Sequence, residues 1–177
     1  HITGGEIIGE STNSPVIRLR AANLIVEGDS TVIRNENQSS GDVESRDTIS
    51  ATGGVQITIR GGTIESSGGR ALYIYRKGDS ALADSYASLL VEGGTITGAK
   101  YGIYNTQHNE VTIKGGTIKG TESDIFLAHD NTQISREPKK FTVENENSSK
   151  SFPFAKMQIE NLSCTNEIDF TKAKLKE

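Results

Sequence analysis

The sequence predicts an all-β protein, a right-handed parallel β-helix whose coils hold about 22 residues and three short strands each. Two observations lead to this solenoid. A motif centred on Gly-Gly-Thr-Ile recurs along the chain, and apolar residues alternate with polar ones before each glycine pair. The motif is clearest in residues 56–65, 88–98 and 111–120, and weaker copies occupy residues 1–9 and 23–28.

The spacing of the copies sets the length of a coil. Successive first glycines lie 24, 33, 32 and 22 residues apart, counted through Gly4, Gly28, Gly61, Gly93 and Gly115. About 22 residues is therefore the basic coil, and the two long spacings predict loops inserted at residues 35–47 and 76–86. The first of these is polar and lacks periodicity, so we expect it to project from the coil. The second copy, Gly28 to Val32, fits the others if it contains one extra residue.

Each copy predicts three strands separated by corners. Apolar residues stand two and four positions before the first glycine, which is the period-two pattern of a strand with one buried face. In the last clear copy the strands are residues 111–113, 117–118 and 124–127. Glycine supplies the corners because it adopts positive φ without a steric penalty.

A charged column supports stacking of successive coils. The residue before each first glycine alternates in sign through Glu27, Arg60, Glu92 and Lys114. If coils stack in register, each charge faces an opposite charge, which favours that register. Thr63, Thr95 and Thr117 are expected to form a second column.

The domain organisation follows from the extent of the repeat. Residues 1–132 form the predicted coils with their two loops, and residues 133–177 form a C-terminal cap or irregular final coils, since an exposed apolar end needs cover. Strands are still expected at 141–143, 157–159 and 168–170.

Composition narrows the function classes. A net charge of −4 argues against nucleic-acid binding. A single cysteine, Cys164, excludes an intramolecular disulfide. No apolar run is long enough to insert into a membrane. The chain begins at His1 without a methionine or signal peptide, so we expect a segment of a longer protein with flanking domains.

The Gly-Gly-Thr-Ile copies, with Tyr101-Gly-Ile-Tyr-Asn105 between them, resemble the right-handed β-helix repeats of bacterial surface and secreted proteins. Those repeats belong to the broad pectin-lyase-like group, which includes adhesin-like and carbohydrate-binding regions. The resemblance covers residues 1–130. It implies an extracellular or cell-surface bacterial location and is more specific for fold than for function.

Catalytic motifs of that group are missing. The resemblance implies Asn-Thr-Asp, Asp-Asp, Gly-His-Gly and Arg-Ile-Lys segments for a polygalacturonase-like enzyme, and none occurs. Asn105-Thr-Gln107 lacks the acid, and His108 precedes Asn109 rather than glycine. The weak candidates for a calcium site are Asp79 and Asp84, with further carboxylates in the first loop. We therefore expect neither an enzyme, a metal site nor a cofactor.

Aromatic residues provide the candidate binding site. Alternation along each third strand predicts that Tyr73, Tyr75, Tyr104 and Phe126 project outward from consecutive coils as a flat strip, on which sugar rings stack. Candidate hydrogen-bond donors near this strip are Arg18, Arg20, Arg70 and Arg76. The alternative is that the aromatic residues stabilise the stacked strands. Exposure separates the two interpretations.

The sequence thus predicts a non-catalytic surface or secreted module that binds a glycan or a host surface. The alternative is a purely structural stalk or spacer of a larger surface protein, and a polysaccharide lyase or hydrolase is disfavoured.

Overall fold

The computed structural model describes residues 1–40, 43–75, 87–106 and 109–128, and beyond these the backbone of three strands. The described chain is all-β, with three sheets of parallel strands and one short 3₁₀ helix, Val43–Arg46. In the first sheet the strands are β3 (Asn23–Val26), β6 (Gln56–Ile59), β9 (Ser88–Val91), β12 (Glu110–Ile113), β15 (Lys140–Val143) and β17 (Ile168–Asp169). In the second they are β1 (Glu6–Gly9), β4 (Val32–Asn35), β7 (Thr63–Ser66), β10 (Thr95–Gly98) and β13 (Thr117–Gly120). In the third they are β2 (Ile17–Arg20), β5 (Ile49–Thr52), β8 (Arg70–Tyr75), β11 (Tyr101–Thr106), β14 (Ser123–Ala128) and β16 (Met157–Glu160).

The chain visits the three sheets in a fixed order from β3 to β15, and each strand pairs in parallel with the strand one repeat away. The pairing places equivalent residues of the motif side by side. Thr63 is opposite Thr95, and Thr95 is opposite Thr117, so the predicted threonine column is confirmed.

The apolar residues of all three sheets form one core. Alternate residues are buried, as period two predicts, in β3, β4, β6, β7, β9, β10 and β12, whereas β1 buries no residue and β5 buries all four. Ile64, Ile96 and Ile118 are fully or almost fully buried one above another in the second sheet. Leu72 and Ile74 of β8 are buried in the third sheet, and Ile57 and Ile59 of β6 are buried in the first. Because these residues belong to a single cluster, the three sheets surround a shared interior.

The second glycine of each corner is required for two reasons. Gly62, Gly94 and Gly116 have φ of 80°, 82° and 89°, a region that residues with a Cβ adopt reluctantly. A Cβ on Gly94 would also lie 2.8 Å from the carbonyl oxygen of Gly62, one repeat below. Successive corners therefore approach each other too closely for any side chain.

The corner before β4 differs from the predicted register. Five residues, 27–31, separate β3 from β4, whereas three, 60–62, separate β6 from β7. The copy thus contains two extra residues rather than one, and Ile33, not Val32, enters the core opposite Ile64. The buried Thr31 closes this longer corner, since its hydroxyl donates to the Glu27 carbonyl at 2.6 Å.

The charged column is confirmed where its contacts are described. Arg60 donates to Glu27 on one side, at 3.3 Å, and to Glu92 on the other, at 3.2 Å. Neighbouring glutamates raise the pKa of Arg60 through these hydrogen bonds. Exposed pairs of this kind specify register more than they stabilise the fold.

Parallel pairing continues beyond residue 132. The strands expected near residues 141, 157 and 168 are present as β15, β16 and β17, which pair with β12, β14 and β15 respectively. The rest of residues 133–177, including the expected cap, lies outside the described residues.

Replacing Gly94 with alanine should destabilise the protein more than replacing Gly53. Both glycines have φ near 80°, but the nearest atom to a Cβ on Gly53 would be 4.0 Å away. We expect Gly53→Ala to cost about 1 kcal/mol of unfolding free energy and Gly94→Ala at least about 2 kcal/mol. Urea unfolding of both variants measures the difference, and equal losses would show that close approach between corners is unimportant.

Candidate functional site

The outer face of the third sheet brings the predicted aromatic residues together. Tyr73 pairs in register with Tyr104, which pairs with Phe126. Tyr75 lies two residues along β8 from Tyr73, opposite Thr52. The contiguous apolar cluster of the interior contains none of the four rings, although Tyr75 and Phe126 are themselves buried.

Contrary to expectation, two of the four rings are buried. Tyr75 retains 8% of its accessible surface and Phe126 retains 5%, whereas Tyr73 and Tyr104 are half-buried. Tyr101, at the start of β11, was not predicted to take part. Its ring lies 4.9 Å from that of Tyr104 and 5.4 Å from that of Phe126. We call these five residues the aromatic cluster.

The rings of the aromatic cluster pack on each other instead of forming a flat strip. Tyr73 stacks on Tyr75 with a centroid distance of 4.5 Å, and Tyr104 stacks on Phe126 at 4.4 Å. The two stacks meet edge to face, since the planes of Tyr73 and Tyr104 are inclined by 72°. Such arrangements are the favourable geometries of aromatic quadrupoles.

Both faces of the Tyr73 ring are occupied. The guanidinium carbon of Arg70 lies 3.6 Å from the Tyr73 centroid, which is a close cation–π contact. Tyr75 lies parallel to the same ring at 4.5 Å. Two groups this close to one centroid would collide on the same face, so Arg70 and Tyr75 lie on opposite faces. Tyr73 therefore offers its edge, not its face, to the surface.

Arg70 is held in that position by a buried ion pair. Its Nε and Nη2 donate to the two carboxylate oxygens of Asp47 at 2.7 and 2.8 Å, a bidentate geometry. The Asp47 side chain has no exposed surface, and that of Arg70 retains 9%. The sequence predicted that Arg70 binds a ligand. In the structure, however, its guanidinium group donates hydrogen bonds to Asp47 and packs on the ring of Tyr73.

Burial has the largest effect on the pKa of Asp47. Loss of solvent raises the pKa of Asp47 to about 6, and the hydrogen bonds and charge of Arg70 oppose the rise only in part. Burial also raises the pKa of Tyr73 to about 12. Although burial acts to lower the pKa of Arg70, its hydrogen bonds to Asp47 raise it overall.

The described part of the first loop does not project into solvent, contrary to expectation. Asn35, at the end of β4, faces inward, and its amide donates to the carbonyls of Ser45 and Asp47 at 2.9 and 2.7 Å. The Asn37 amide donates to the Ser11 carbonyl at 2.9 Å. Ser45 and Asp47 are fully buried. The polar side chains of this loop form hydrogen bonds with buried backbone groups. They are therefore buried although they are polar.

Two of the remaining predicted residues, Arg18 and Arg20, lie two strands from Tyr73 and Tyr75 in the same columns of the third sheet. Arg18 is exposed and lies 3.5 Å from Glu44, and Arg20 is exposed on the same strand. Arg76, Asp79, Asp84 and the loop 76–86 lie outside the described residues. Among residues that are described, no group of three His, Cys, Asp or Glu side chains is arranged to hold a metal ion.

One charged neighbour of the aromatic cluster was missed from the sequence. A hydrogen bond from Tyr101 lowers the pKa of Glu122, whose carboxylate also lies 3.4 Å from the Lys100 ammonium. Glu122 and Lys100 stand one repeat apart at the corner before the third strand, so only the stacking register brings them together.

Asn105, in the segment compared with a catalytic motif, is buried. Its amide oxygen accepts a hydrogen bond from Asn109 at 3.0 Å, and the Asn109 oxygen accepts from the backbone N–H of Ala87 at 3.0 Å. Both side chains therefore take part in hydrogen bonds within the protein.

Comparison with known proteins finds no matching protein family, no matching characterised protein and no matching solved structure. Within the described ranges, the chain has no helix with the length and apolar character needed to cross a bilayer.

Acidification should stabilise the protein through Asp47. The folded-state pKa near 6 exceeds the ordinary value of 3.8, so the folded protein takes up a proton as pH falls through 6, before the unfolded chain does. Relative to Asp47→Asn, which cannot titrate, wild type should gain about 2 kcal/mol of unfolding free energy between pH 7 and about pH 4. Urea unfolding of both proteins at each pH measures this. A relative loss on acidification would mean that Arg70 controls the pKa instead.

Removing Arg70 should be far more damaging than removing Arg60. Arg70→Ala leaves the Asp47 carboxylate buried without its partner, and breaking a buried pair in this way costs about 3–5 kcal/mol. Arg60→Ala removes an exposed arginine that also contacts two carboxylates, and little change in stability is expected. Thermal and urea unfolding compare the two variants. Similar losses would contradict the structural role given to Arg70.

Proposed function

We propose that this chain is a right-handed parallel β-helix segment of a bacterial cell-surface or secreted protein, and that it acts as a non-catalytic structural spacer. Support for the fold comes from three parallel sheets around one core, visited in a repeating order. The right-handed sense is the one that crossovers between parallel strands adopt. The pectin-lyase-like resemblance of the Gly-Gly-Thr-Ile copies supports an extracellular setting.

The observation that supports the spacer proposal is that faces of the aromatic rings are covered by neighbouring residues. A sugar stacks through its C–H face on an exposed aromatic face. Tyr73 is covered by Arg70 and Tyr75, and Tyr104 is covered on one side by Phe126. The aromatic cluster therefore has a structural role, because its rings pack three neighbouring strands, β8, β11 and β14, against one another.

The non-catalytic part of the proposal is supported by the environment of Asp47, the strongest candidate for a catalytic group. Asp47 is the most perturbed carboxyl group of the described chain, and perturbed groups are functional candidates. However, both of its oxygens bind Arg70 and the side chain has no exposed surface. Burial of the Asp47 carboxylate explains the raised pKa, so the perturbation requires no catalytic role.

A second candidate function is binding of a glycan or host-surface ligand, and one observation favours it. Tyr101 and Tyr104 remain half-exposed beside the exposed Glu122 carboxylate and Lys100 ammonium. Aromatic edges flanked by charged donors and acceptors can contact a sugar through hydrogen bonds even without a free face. This candidate places the ligand on β11 and the corner before β14.

A binding and stability comparison separates the two candidates. Under the spacer proposal, the full chain binds no member of a glycan panel, and Tyr104→Ala lowers the unfolding free energy by about 1–3 kcal/mol because stacking is lost. The matched control is Thr95→Ala, a surface change on the second sheet. If wild type binds a glycan and a folded Tyr104→Ala variant does not, the spacer proposal fails and the binding candidate replaces it.

A further inference from the structure

The outer face of the first sheet carries three parallel columns of side chains. Strand pairing in register places each outward residue beside its equivalent in the next repeat. The middle column, which is half-buried, consists of Ile25, Thr58, Leu90 and Thr112. On one side of it lies a polar column of Asn23, Gln56, Ser88 and Glu110. Further strands at either edge of the sheet would lengthen these columns without covering them.

The charged column lies on the other side of this face. The backbone N–H of Glu92 donates to Ile59 and that of Lys114 donates to Val91, so the parallel ladder of the sheet continues through this column. The side chains of Arg60 and Glu92 are 50% and 38% exposed. In the order of the repeats, the charges are negative, positive, negative and positive, at Glu27, Arg60, Glu92 and Lys114. The face therefore presents an alternating row of four charges.

An alternating row of four charges is complementary to its own reverse. A twofold axis that runs along the strand direction between β6 and β9 places a second copy face to face with the first, with its repeats in reverse order. Arg60 of each copy then faces Glu92 of the other, and Glu27 faces Lys114. Every charge of the row meets an opposite charge, and such complementarity fixes the register of a contact.

The same operation packs the two middle columns against each other. Leu90 of each copy faces Thr58 of the other, and Ile25 faces Thr112, so half-exposed apolar atoms leave water. The part of the face formed by four strands measures about 19 Å across the strands and about 17 Å along them. Stable interfaces bury about 800 Å² on each partner, so this smaller contact is weak and reversible.

Charge disfavours the other ways of pairing these faces. A twofold axis along the stacking direction would set the charged column against the polar column. In that arrangement Lys114 and Glu110 are the one pair of opposite charges within the two described columns. The second sheet fits itself less well, because an axis between β7 and β10 would set Arg34 against Lys119. Like charges in contact oppose association.

We propose that the outer face of the first sheet is the contact surface of a weak antiparallel dimer of this chain. The charged column of each copy pairs with that of the other in reverse order, and the two middle columns pack between them. The proposal concerns self-association and is independent of whether the aromatic cluster binds a ligand.

The test is a mixing experiment with a variant in which the whole charged column is inverted. The inverted variant carries Glu27→Arg, Arg60→Glu, Glu92→Arg and Lys114→Glu. Its charges still alternate within the chain, so contacts between its own repeats remain favourable. Each protein is complementary to its own reverse, but wild type and the inverted variant would face each other with like charges.

Sedimentation velocity of a fluorescently labelled trace of wild type, up to millimolar total protein, measures the association. Wild type should dimerise reversibly with unlabelled wild type, and the inverted variant should dimerise with itself. The mixed dimer should have a dissociation constant at least about tenfold higher. A wild type that stays monomeric throughout this range overturns the proposal, and so does a mixed dimer as tight as the wild-type dimer. Circular dichroism confirms that each protein is folded.

A second pair of variants tests the middle column. Leu90→Lys places an ammonium group in the apolar contact, and it should raise the dissociation constant at least about tenfold. The matched control is Thr97→Lys, at a half-buried outward position of β10 in the second sheet, which should leave the dimer unchanged. A dimer that is indifferent to Leu90→Lys, or is weakened equally by both variants, would contradict the assignment of the contact to the first sheet.

Discussion

In-register hydrogen bonding between strands one repeat apart is the constraint on which the rest of this structure depends. Each parallel pair places a residue directly beside its equivalent in the next repeat, at the ordinary strand separation of about 4.8 Å. The apolar columns, the glycine corners and the charged column all follow from that register. A slip of one residue would expose every buried side chain of a strand, so the sequence must specify the register repeatedly.

The corners carry the tightest part of this constraint. A Cβ added to Gly94 would lie 2.8 Å from the carbonyl oxygen of Gly62. A Cβ added to Gly116 would lie at the same distance from the carbonyl oxygen of Gly94. Where a corner departs from the two-glycine form, other groups take over its closure. Thr31 does so before β4. A polar side chain at a corner is therefore a structural part of the fold before it is a candidate for function.

The third sheet applies the same logic to large side chains. Its outer columns place Tyr73, Tyr104 and Phe126 on neighbouring strands, and neighbouring rings pack against each other when nothing else covers them. Arg70 adds a guanidinium to this packing and connects it to Asp47 at the end of the first loop. The loop and the aromatic cluster are thus one assembly, although Asn37 and Tyr73 are 36 positions apart in the sequence and repeats of different length contribute to it.

Much of the fold was predictable because the information is local and repeated. Glycines at fixed offsets and period-two alternation identified the strands, and the alternating charges identified the register of Glu27, Arg60 and Glu92. The second corner was misjudged because Gly28 occurs without a glycine partner, so its length could not be read from the motif.

The candidate site was less predictable because its contacts are not local. Alternation places Tyr73 and Tyr75 on the outer side of β8 but says nothing about the tilt of a ring or what covers it. The pairing of Asp47 with Arg70 joins two residues 23 positions apart through an irregular loop, and no periodicity announces it. Polarity of residues 35–47 suggested exposure, whereas Asn35 and Asn37 both donate their amides to the buried carbonyl of Ser45.

The most direct test of the account is a distance across two repeats in the threonine column. Nitroxide labels on cysteines at Thr63 and Thr117, in a background with Cys164 replaced by serine, lie on exposed or half-exposed positions. In-register stacking places these sites two strand separations apart, roughly 10 Å. Continuous-wave electron paramagnetic resonance should then show strong dipolar broadening relative to the singly labelled proteins. Spectra equal to the sum of the single labels would contradict the parallel register on which the whole structure rests.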